Sequence, residues 1–196
     1  MSLTPPTMIA LGTAAPDFEL TDPSGIPVSR ENYTDHPLLI MFICNHCPYV
    51  KHVAPELARI GQDFGFESGG NLGIVAIQSN DIAAYPDDAP DKMKEEKAQR
   101  GYAFPYVLDE DQSVAKAYSA ACTPDFFLFD SEHKLVYRGQ LDETRPHRVA
   151  SGQYDDRDGA ANGKDLRAAI EQVLAGQEVT VEQIPSMGCN IKWKHN

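Results

Sequence analysis

The chain has 196 residues, 42% of them hydrophobic, and can therefore bury one sizeable core. Its 17 basic and 29 acidic residues give a net charge of −12, which argues against nucleic acid as a partner. No segment approaches the roughly 18 apolar residues of a membrane span, and the first twelve residues lack the basic start and apolar stretch of an export signal. We expect a single domain over residues 1–196 in a soluble, cytoplasmic protein.

The first pattern along the chain is that of a hairpin. Phe18 and Leu20 alternate with polar residues, residues 21–25 have the composition of a turn, and Ile26 and Val28 alternate in the same way. We expect this hairpin to cover one end of the core.

Two of the four cysteines, Cys44 and Cys47, lie where a buried strand is followed by a helix. Residues 38–43 are apolar without a break, and the residues after Cys47 have apolar positions at helical spacing. Free backbone N–H groups and the positive end of the helix dipole stabilise a thiolate at such a helix start. Four cysteines are too few for a disulfide scaffold, so the C-x-x-C pair indicates catalysis or metal binding.

A second apolar run, at residues 72–77, predicts a strand parallel to the first. The helix between the two strands would join them in a right-handed crossover. Residues 82–90 contain two prolines and predict a loop. A helix capped by Asp91 follows, and residues 104–108 predict a short strand.

The next segment returns the chain to the sheet. Residues 111–121 predict a helix with Val114, Ala117 and Tyr118 on its buried face. Apolar runs at residues 126–130 and 135–138 then predict an antiparallel hairpin. Parallel strands in the middle and an antiparallel edge make a mixed α/β fold, in which helices flank a central sheet.

The last third of the chain contains one more helix. Residues 142–163 are rich in Asp, Gly, Arg and Asn and predict a surface loop. Residues 164–175 predict an amphipathic helix ended by Gly176. We therefore expect the core to cover about residues 12–176, with residues 177–196 as a flexible C-terminal tail.

These features resemble the thioredoxin superfamily, which has a C-x-x-C pair at a helix start and a Thr-Pro pair, here Thr123-Pro124, before an apolar strand. Residues 15–18 and 127–130 are similar to its redoxin branch, the alkyl hydroperoxide reductase and thiol-specific antioxidant (AhpC/TSA) group. Residues 44–52, 121–127 and 188–193 resemble a peroxiredoxin-like group of thioredoxin-family proteins. The similarity covers residues 12–175 and implies a thioredoxin-like fold.

The resemblance implies a thiol-disulfide oxidoreductase that uses the Cys44 and Cys47 pair. In the thioredoxin pattern the first cysteine is the more exposed one and attacks a partner disulfide, and the second resolves the mixed disulfide. Cys44 is therefore predicted to be the nucleophile and Cys47 the resolving residue. His46 would stabilise the Cys44 thiolate and make the pair more oxidising, and Pro48 would support the site.

The same resemblance suggests roles for residues elsewhere in the chain. Pro124 is expected to be cis, with Thr123 offering backbone groups that hold an extended substrate. Cys122 could resolve, relay or ligate, or could be a small buried apolar residue. Cys189 could act as an additional resolving cysteine if the tail folds back. Residues 51–52 add positive charge near the pair.

A peroxiredoxin-like thiol peroxidase, an antioxidant with Cys47 or Cys44 as the peroxidatic cysteine, is the main alternative. The peroxiredoxin pattern has Thr or Ser where this chain has Cys44, Pro where it has Ile40, and Arg where it has Pro124. The residues at the pair thus favour dithiol exchange over peroxide reduction.

Two further alternatives do not involve redox catalysis. A metal-binding module would use the cysteines Cys44, Cys47, Cys122 and Cys189, or His46 in place of one. A structural zinc site usually has two close ligand pairs, and the sequence has one. A redoxin-fold binding module would keep its cysteines reduced and idle.

The expected partners follow from dithiol chemistry. They are protein or small-molecule disulfides and thiols, a peroxide in the peroxidase alternative, and a thiol electron donor. No cofactor, metal, nucleic-acid partner or membrane partner is expected. No oligomeric state is predicted.

Overall fold

The structure is a computed structural model that describes residues 3–4, by their backbone, together with residues 8–157 and 159–194. Outside it lie residues 1–2 and 5–7, one residue of the predicted loop at 142–163, and the last two residues of the predicted tail. Among the described residues, no helix is long and apolar enough to cross a bilayer.

Strands and helices alternate in the middle of the chain, between Leu38 and Thr123. The β-strands are Leu3–Thr4 (β1), Glu19–Thr21 (β2), Pro27–Ser29 (β3), Leu38–Phe42 (β4), Gly73–Gln78 (β5), Tyr106–Leu108 (β6), Cys122–Thr123 (β7), Asp125–Phe129 (β8), Leu135–Gly139 (β9), His147–Ala150 (β10), Gln153–Asp155 (β11) and Gly188–Asn190 (β12). The α-helices are Pro48–Phe64 (α1), Pro90–Arg100 (α2), Ser113–Ala117 (α3) and Lys164–Leu174 (α4).

Seven strands form the central sheet, in the order β3-β2-β6-β5-β4-β8-β9. β4, β5 and β6 are parallel, whereas β8 runs antiparallel to β4 and β9 antiparallel to β8. β2 and β3 are the predicted hairpin, and β2 pairs antiparallel with β6. The predicted mixed α/β fold, with parallel strands in the middle, is confirmed.

Alternation along β4 divides the core between the two faces of the sheet. Leu39 and Met41 pack with apolar residues of α1 and α4, whereas Leu38, Ile40 and Phe42 pack on the other face with α3. Successive side chains of a strand point to opposite faces, so an unbroken apolar run requires cover on both. The sheet is therefore enclosed by helices, and the C-terminal end of β4 is where the chain leaves this core.

The C-terminal segment is not a free tail. β12 lies between β1 and β7 in a second, three-stranded antiparallel sheet. Gly188 lies against the backbone of Thr123, and the side chains of Cys189 and Ile191 are buried. The expectation of a flexible tail is wrong for this stretch, because its backbone groups pair with two strands.

Three local predictions are also wrong. α2 begins at Pro90 with Ala89 as its N-cap, because proline lacks an N–H and fits the first helical position better than Asp91 fits the cap. α3 is shorter than predicted and buries Ala115 in place of the predicted Ala117, since Ser119 has a φ of +52° and ends the turn. The predicted loop at 142–163 contains the β10–β11 hairpin.

Candidate functional site

Cys44 and Cys47, here called the dithiol, lie between β4 and α1. β4 ends at Phe42, and Pro48 provides the first residue of α1, which makes Cys47 the N-cap. The Thr123 hydroxyl lies 3.3 Å from Cys44 Sγ, and the Thr123 carbonyl oxygen lies 3.2 Å from Cys47 Sγ. Thr123 thus touches both sulfurs from the opposite loop.

The Cys47 sulfur has several hydrogen-bond donors around it. Burial opposes its ionisation, but hydrogen bonds from the thiols of Cys189 and Cys44 and from the Val50 N–H outweigh burial and lower the pKa of Cys47. When protonated, Cys47 donates to the Thr123 carbonyl. The helix N-terminus adds to the stabilisation of a thiolate at this position.

Cys44 has the opposite environment. Its side chain is 1% exposed, and burial, the hydrogen bond with Cys47 and the nearby Asp88 carboxylate raise the pKa of its thiol well above the usual value. Both cysteines are buried, so Cys44 is not openly exposed as expected, and the raised pKa opposes its predicted ionisation. The physical reason is that α1 begins after Cys47, so the helix donors serve Cys47, while Cys44 faces a carboxylate.

Asp88 holds the loop between the two cysteines, and sequence reasoning missed it. It is fully buried at the end of a short 3-10 helix, Pro86–Asp88. One carboxylate oxygen accepts the backbone N–H groups of Asn45 and His46, at 2.8 and 3.3 Å. The other lies 2.6 Å from His46 Nδ1 and accepts from the Asn80 side chain at 2.8 Å. The sequence offered two adjacent loop aspartates, which nothing local distinguishes.

His46 lies close to the dithiol, and the Asp88 carboxylate holds its ring. A ring nitrogen lies within 4.8 Å of Cys44 Sγ, yet Nδ1 is bonded to Asp88 and the ring stacks on Tyr85 at a centroid distance of 5.3 Å. The carboxylate beside the ring offsets its effect on Cys44. His52 is turned away, with its nitrogens 2.6 Å from Asp156 and 2.8 Å from the Thr144 hydroxyl.

The Thr123-Pro124 peptide bond is cis, as predicted. The backbone of Thr123 was expected to hold an extended substrate, but β7 is paired with the chain's own β12, in which Cys189 lies opposite Thr123. A peptide that paired with Thr123 would have to displace this strand, because one edge of a strand pairs with one neighbour.

Cys122 has the environment of a small buried apolar residue, one of the roles considered for it. It is fully buried, its Sγ lies 3.7 Å from the Pro124 carbonyl, and burial followed by the nearby Asp125 carboxylate raises the pKa of its thiol. Asp125 itself pairs with the buried Arg138 at 3.1 Å. Burial raises the pKa of Asp125 to about 6, although Arg138 works against this shift.

The described residues also contain one group with metal-binding geometry. Ligand atoms of Cys44, His46 and Asp88 all lie within 4.8 Å of one another. This set shares Cys44 and His46 with the predicted one, and it has Asp88 where the prediction had the other cysteines. His46 and Asp88 already bind each other, so the group is first of all a hydrogen-bonded support for the loop.

An open cleft leads to this region from the surface. It has a volume of about 660 Å³ and is lined by His46, Pro48, Lys51 and residues of the β10–β11 hairpin, among them Arg148 and Tyr154. Lys51 and Arg148 thus bring positive charge to this cleft, which Asp156 also lines.

Comparison with known proteins agrees with this geometry. The sequence profile of the AhpC/TSA family matches residues 11–138, which is most of the central sheet. The chain belongs to the AhpC/TSA family. Its predicted family, thioredoxin-like fold and enzyme class, an oxidoreductase with a C-x-x-C pair, are confirmed.

Individual relatives of this AhpC/TSA chain support the same assignment. An uncharacterised conserved protein of Geobacillus kaustophilus has 45% identity and a TM-score of 0.89, covering 100% of this chain and 98% of its own. The thiol-disulfide oxidoreductase ResA of the same species is 29% identical over 69% of this chain and 73% of its own length. The thioredoxin domain of a thiol-disulfide oxidoreductase from Bacteroides vulgatus, at 21% identity, shares the fold with a TM-score of 0.55 over 67% of this chain and 89% of its own.

Proposed function

We propose that this protein exchanges disulfides with thiol partners through the dithiol and a mixed-disulfide intermediate. The observation that carries the proposal is the contact between Cys44 and Cys47 at the N-terminus of α1, against the Thr123-Pro124 loop. Two thiols in contact can form a disulfide without moving the backbone far, and one of them has its thiolate stabilised.

The electrostatics support a division of roles that differs from the thioredoxin pattern. Cys47 carries the thiolate and attacks the partner disulfide, because thiolates and not thiols are the nucleophiles. Cys44, as the neutral neighbour, then gives up its proton and resolves the mixed disulfide, which releases the reduced partner. Because both cysteines are buried, exchange requires a local opening at the Thr123 loop.

The peroxidase alternative is favoured by one observation, the lowered pKa of a cysteine that is followed by proline in an AhpC/TSA family member. The guanidinium of Arg138, which is buried, is paired with the Asp125 carboxylate. It is therefore not free to polarise a peroxide at Cys47. Dithiol exchange is the function we propose.

The test is reduction of insulin by dithiothreitol with catalytic amounts of protein. Wild type should accelerate the reaction. Cys47→Ser should abolish the acceleration because it removes the attacking sulfur, and Cys44→Ser should reduce it because it removes one half of the disulfide. Cys122→Ser is the matched control, since it removes a buried thiol outside the dithiol. Equal rates for wild type and both variants would refute the proposal, and rapid peroxide consumption with a thiol donor would favour the alternative.

We also propose a cytoplasmic setting, with small or protein thiols as electron donors. The support is compositional: four cysteines, two of them in a C-x-x-C pair, suit a compartment in which thiols stay reduced. Rapid alkylation of intact cells, followed by mass analysis of the protein, should find the four cysteines mainly as thiols. A fully oxidised population would contradict this setting.

A further inference from the structure

The second sheet places a third sulfur next to the dithiol. Cys189 lies opposite Thr123 in the β7–β12 pairing, and the carbonyl of that same Thr123 is 3.2 Å from Cys47 Sγ. Cys189 is buried in one apolar cluster with Cys44 and Cys47. Its thiol is hydrogen-bonded to the Cys47 sulfur. Cys47 is thus in contact with two cysteines, one on each side in the sequence.

Close packing of β12 fixes this position. A Cβ atom at Gly188 would come within 2.0 Å of the Thr123 carbonyl oxygen, so the residue before Cys189 must be glycine for the strands to approach. On the other side of Cys189, the Ile191 N–H donates to the Ala121 carbonyl at 3.0 Å. The third thiol is therefore held in place by backbone contacts on both sides of it in the sequence.

The arrangement suits exchange better than metal binding. Among the described residues, the sulfurs of Cys44, Cys47 and Cys189 do not all lie within 4.8 Å of one another. They therefore do not converge on one point, as metal ligands would. Cys47 instead touches each of the other two. A central sulfur with a thiol at either side can pass from one disulfide partner to the other.

We propose that Cys189 is a third redox residue, which takes the place of Cys44 in a disulfide with Cys47. This inference rests on the proposed function. The Cys189 sulfur attacks Cys47 Sγ of the Cys44–Cys47 disulfide, the Cys47–Cys189 bond forms and the Cys44–Cys47 bond breaks. Cys44 leaves as a thiolate and takes up the proton that Cys189 releases, so the step involves no net oxidation.

The same residue can also resolve a mixed disulfide at Cys47 directly. Cys189 attacks Cys47 Sγ, the partner leaves as a thiol with the proton from Cys189, and the tail strand becomes covalently joined to the start of α1. In either route Cys44 ends as a thiol. The protein would then store its disulfide between the helix and the tail strand.

The experiment uses the full-length Cys44→Ser variant, reduced, freed of reductant and treated with oxidised glutathione. We expect glutathione to be lost from Cys47 and the tryptic peptides 31–51 and 168–192 to be joined by a disulfide. Cys44→Ser/Cys189→Ser should lose this crosslink and retain the glutathione adduct. Cys44→Ser/Cys122→Ser is the matched control and should keep the crosslink. Oxidised wild-type protein, whose folding no substitution perturbs, should contain the same joined peptides.

Two results would overturn the inference. One is a stable glutathione adduct at Cys47 in the Cys44→Ser variant, and the other is a crosslink from peptide 31–51 to peptide 117–134, which contains Cys122. If either occurs while wild type still forms the Cys44–Cys47 disulfide and reduces insulin, the role of Cys189 fails and the proposed function stands. No disulfide or adduct at Cys47 in any variant, wild type included, would defeat both.

Discussion

Asp88 illustrates how a single buried charge can organise a redox loop. Its two carboxylate oxygens accept four hydrogen bonds, two of them from the backbone between the cysteines. Burial is the main cause of the raised pKa of the Cys44 thiol, and the Asp88 charge adds to it. One side chain thus holds the shape of the loop and contributes to the order of ionisation.

Replacing Asp88 with asparagine should destabilise the protein and release Cys44. An asparagine has an NH₂ group in place of one carboxylate oxygen, and this group cannot accept the hydrogen bonds from His46 and Asn80. We therefore expect a loss of about 1–3 kcal/mol in the free energy of unfolding. The pKa of Cys44 should fall, because the negative charge beside it is gone. Urea unfolding and the pH dependence of Cys44 alkylation would measure the two effects.

Asp87→Asn is the matched control for this change. Asp87 is exposed and contributes its backbone carbonyl, which the substitution leaves in place, to the bond with Asn45. Its free energy of unfolding should stay close to that of wild type. Equal destabilisation by the two substitutions would mean that Asp88 has no special role in the loop.

Among the secondary-structure elements, β12 differs most from what its sequence indicates. Three residues with a central cysteine form no periodic pattern, yet they complete a sheet with β1 and β7 and bring Cys189 to Cys47. By contrast, β4, β5, β8 and β9 follow from apolar runs, and α1 follows from helical spacing, because those patterns reflect burial by many neighbours. The β10–β11 hairpin escaped prediction because its strands are largely polar and exposed.

Substitution of Gly188 by valine should separate β12 from β7. The added side chain would meet the Thr123 backbone, so we expect a loss of about 1–3 kcal/mol in stability and a displaced Cys189. Cys189 of the variant should then react with iodoacetamide in the folded, reduced protein. In wild type the thiol is buried and should resist this reaction. Mass analysis of the peptide 168–192 would report the modification.

Met187→Val provides the comparison, since Met187 is the preceding residue and its side chain is exposed. This variant should keep Cys189 protected from alkylation. If Gly188→Val also kept the thiol protected, the close packing of the two strands would not be what positions Cys189.

The whole molecule links folding to the redox state of the dithiol. The folded protein stabilises the Cys47 thiolate with a helix N-terminus, a backbone N–H and two thiols, and all of these interactions are lost on unfolding. A lowered thiol pKa stabilises the reduced form and so makes the disulfide more oxidising. The prediction of an oxidising pair is therefore retained, with donors around Cys47 as the cause in place of His46.

We accordingly expect the reduced protein to be more stable to urea than the oxidised protein. The sign follows from linkage, because a thiolate with a lower pKa in the folded state favours the folded, reduced protein. Equilibration with glutathione should give a reduction potential above that of thioredoxin, about −270 mV. The stability of Cys44→Ser/Cys47→Ser to urea should not depend on oxidant. A wild type that is more stable when oxidised would contradict the expected stabilisation of the reduced form.

The sequence by itself determined the α/β class, the order of the main strands and the position of the C-x-x-C pair at a helix start. Each of these depends on residues that are neighbours in the chain, through periodicity, turn composition and the beginning of a helix. The resemblance to the thioredoxin superfamily, and not local periodicity, predicted the cis Thr123-Pro124 bond opposite the pair.

Only the tertiary structure decided which cysteine carries the charge, what holds the loop and where the tail lies. Asp88 is 42 residues from His46, and Thr123 is 76 residues from Cys47. Burial, carboxylate proximity and strand pairing at such separations depend on how the whole chain packs, and a thiol pKa responds to all three. The chemistry of the site is therefore set by contacts that no local pattern contains.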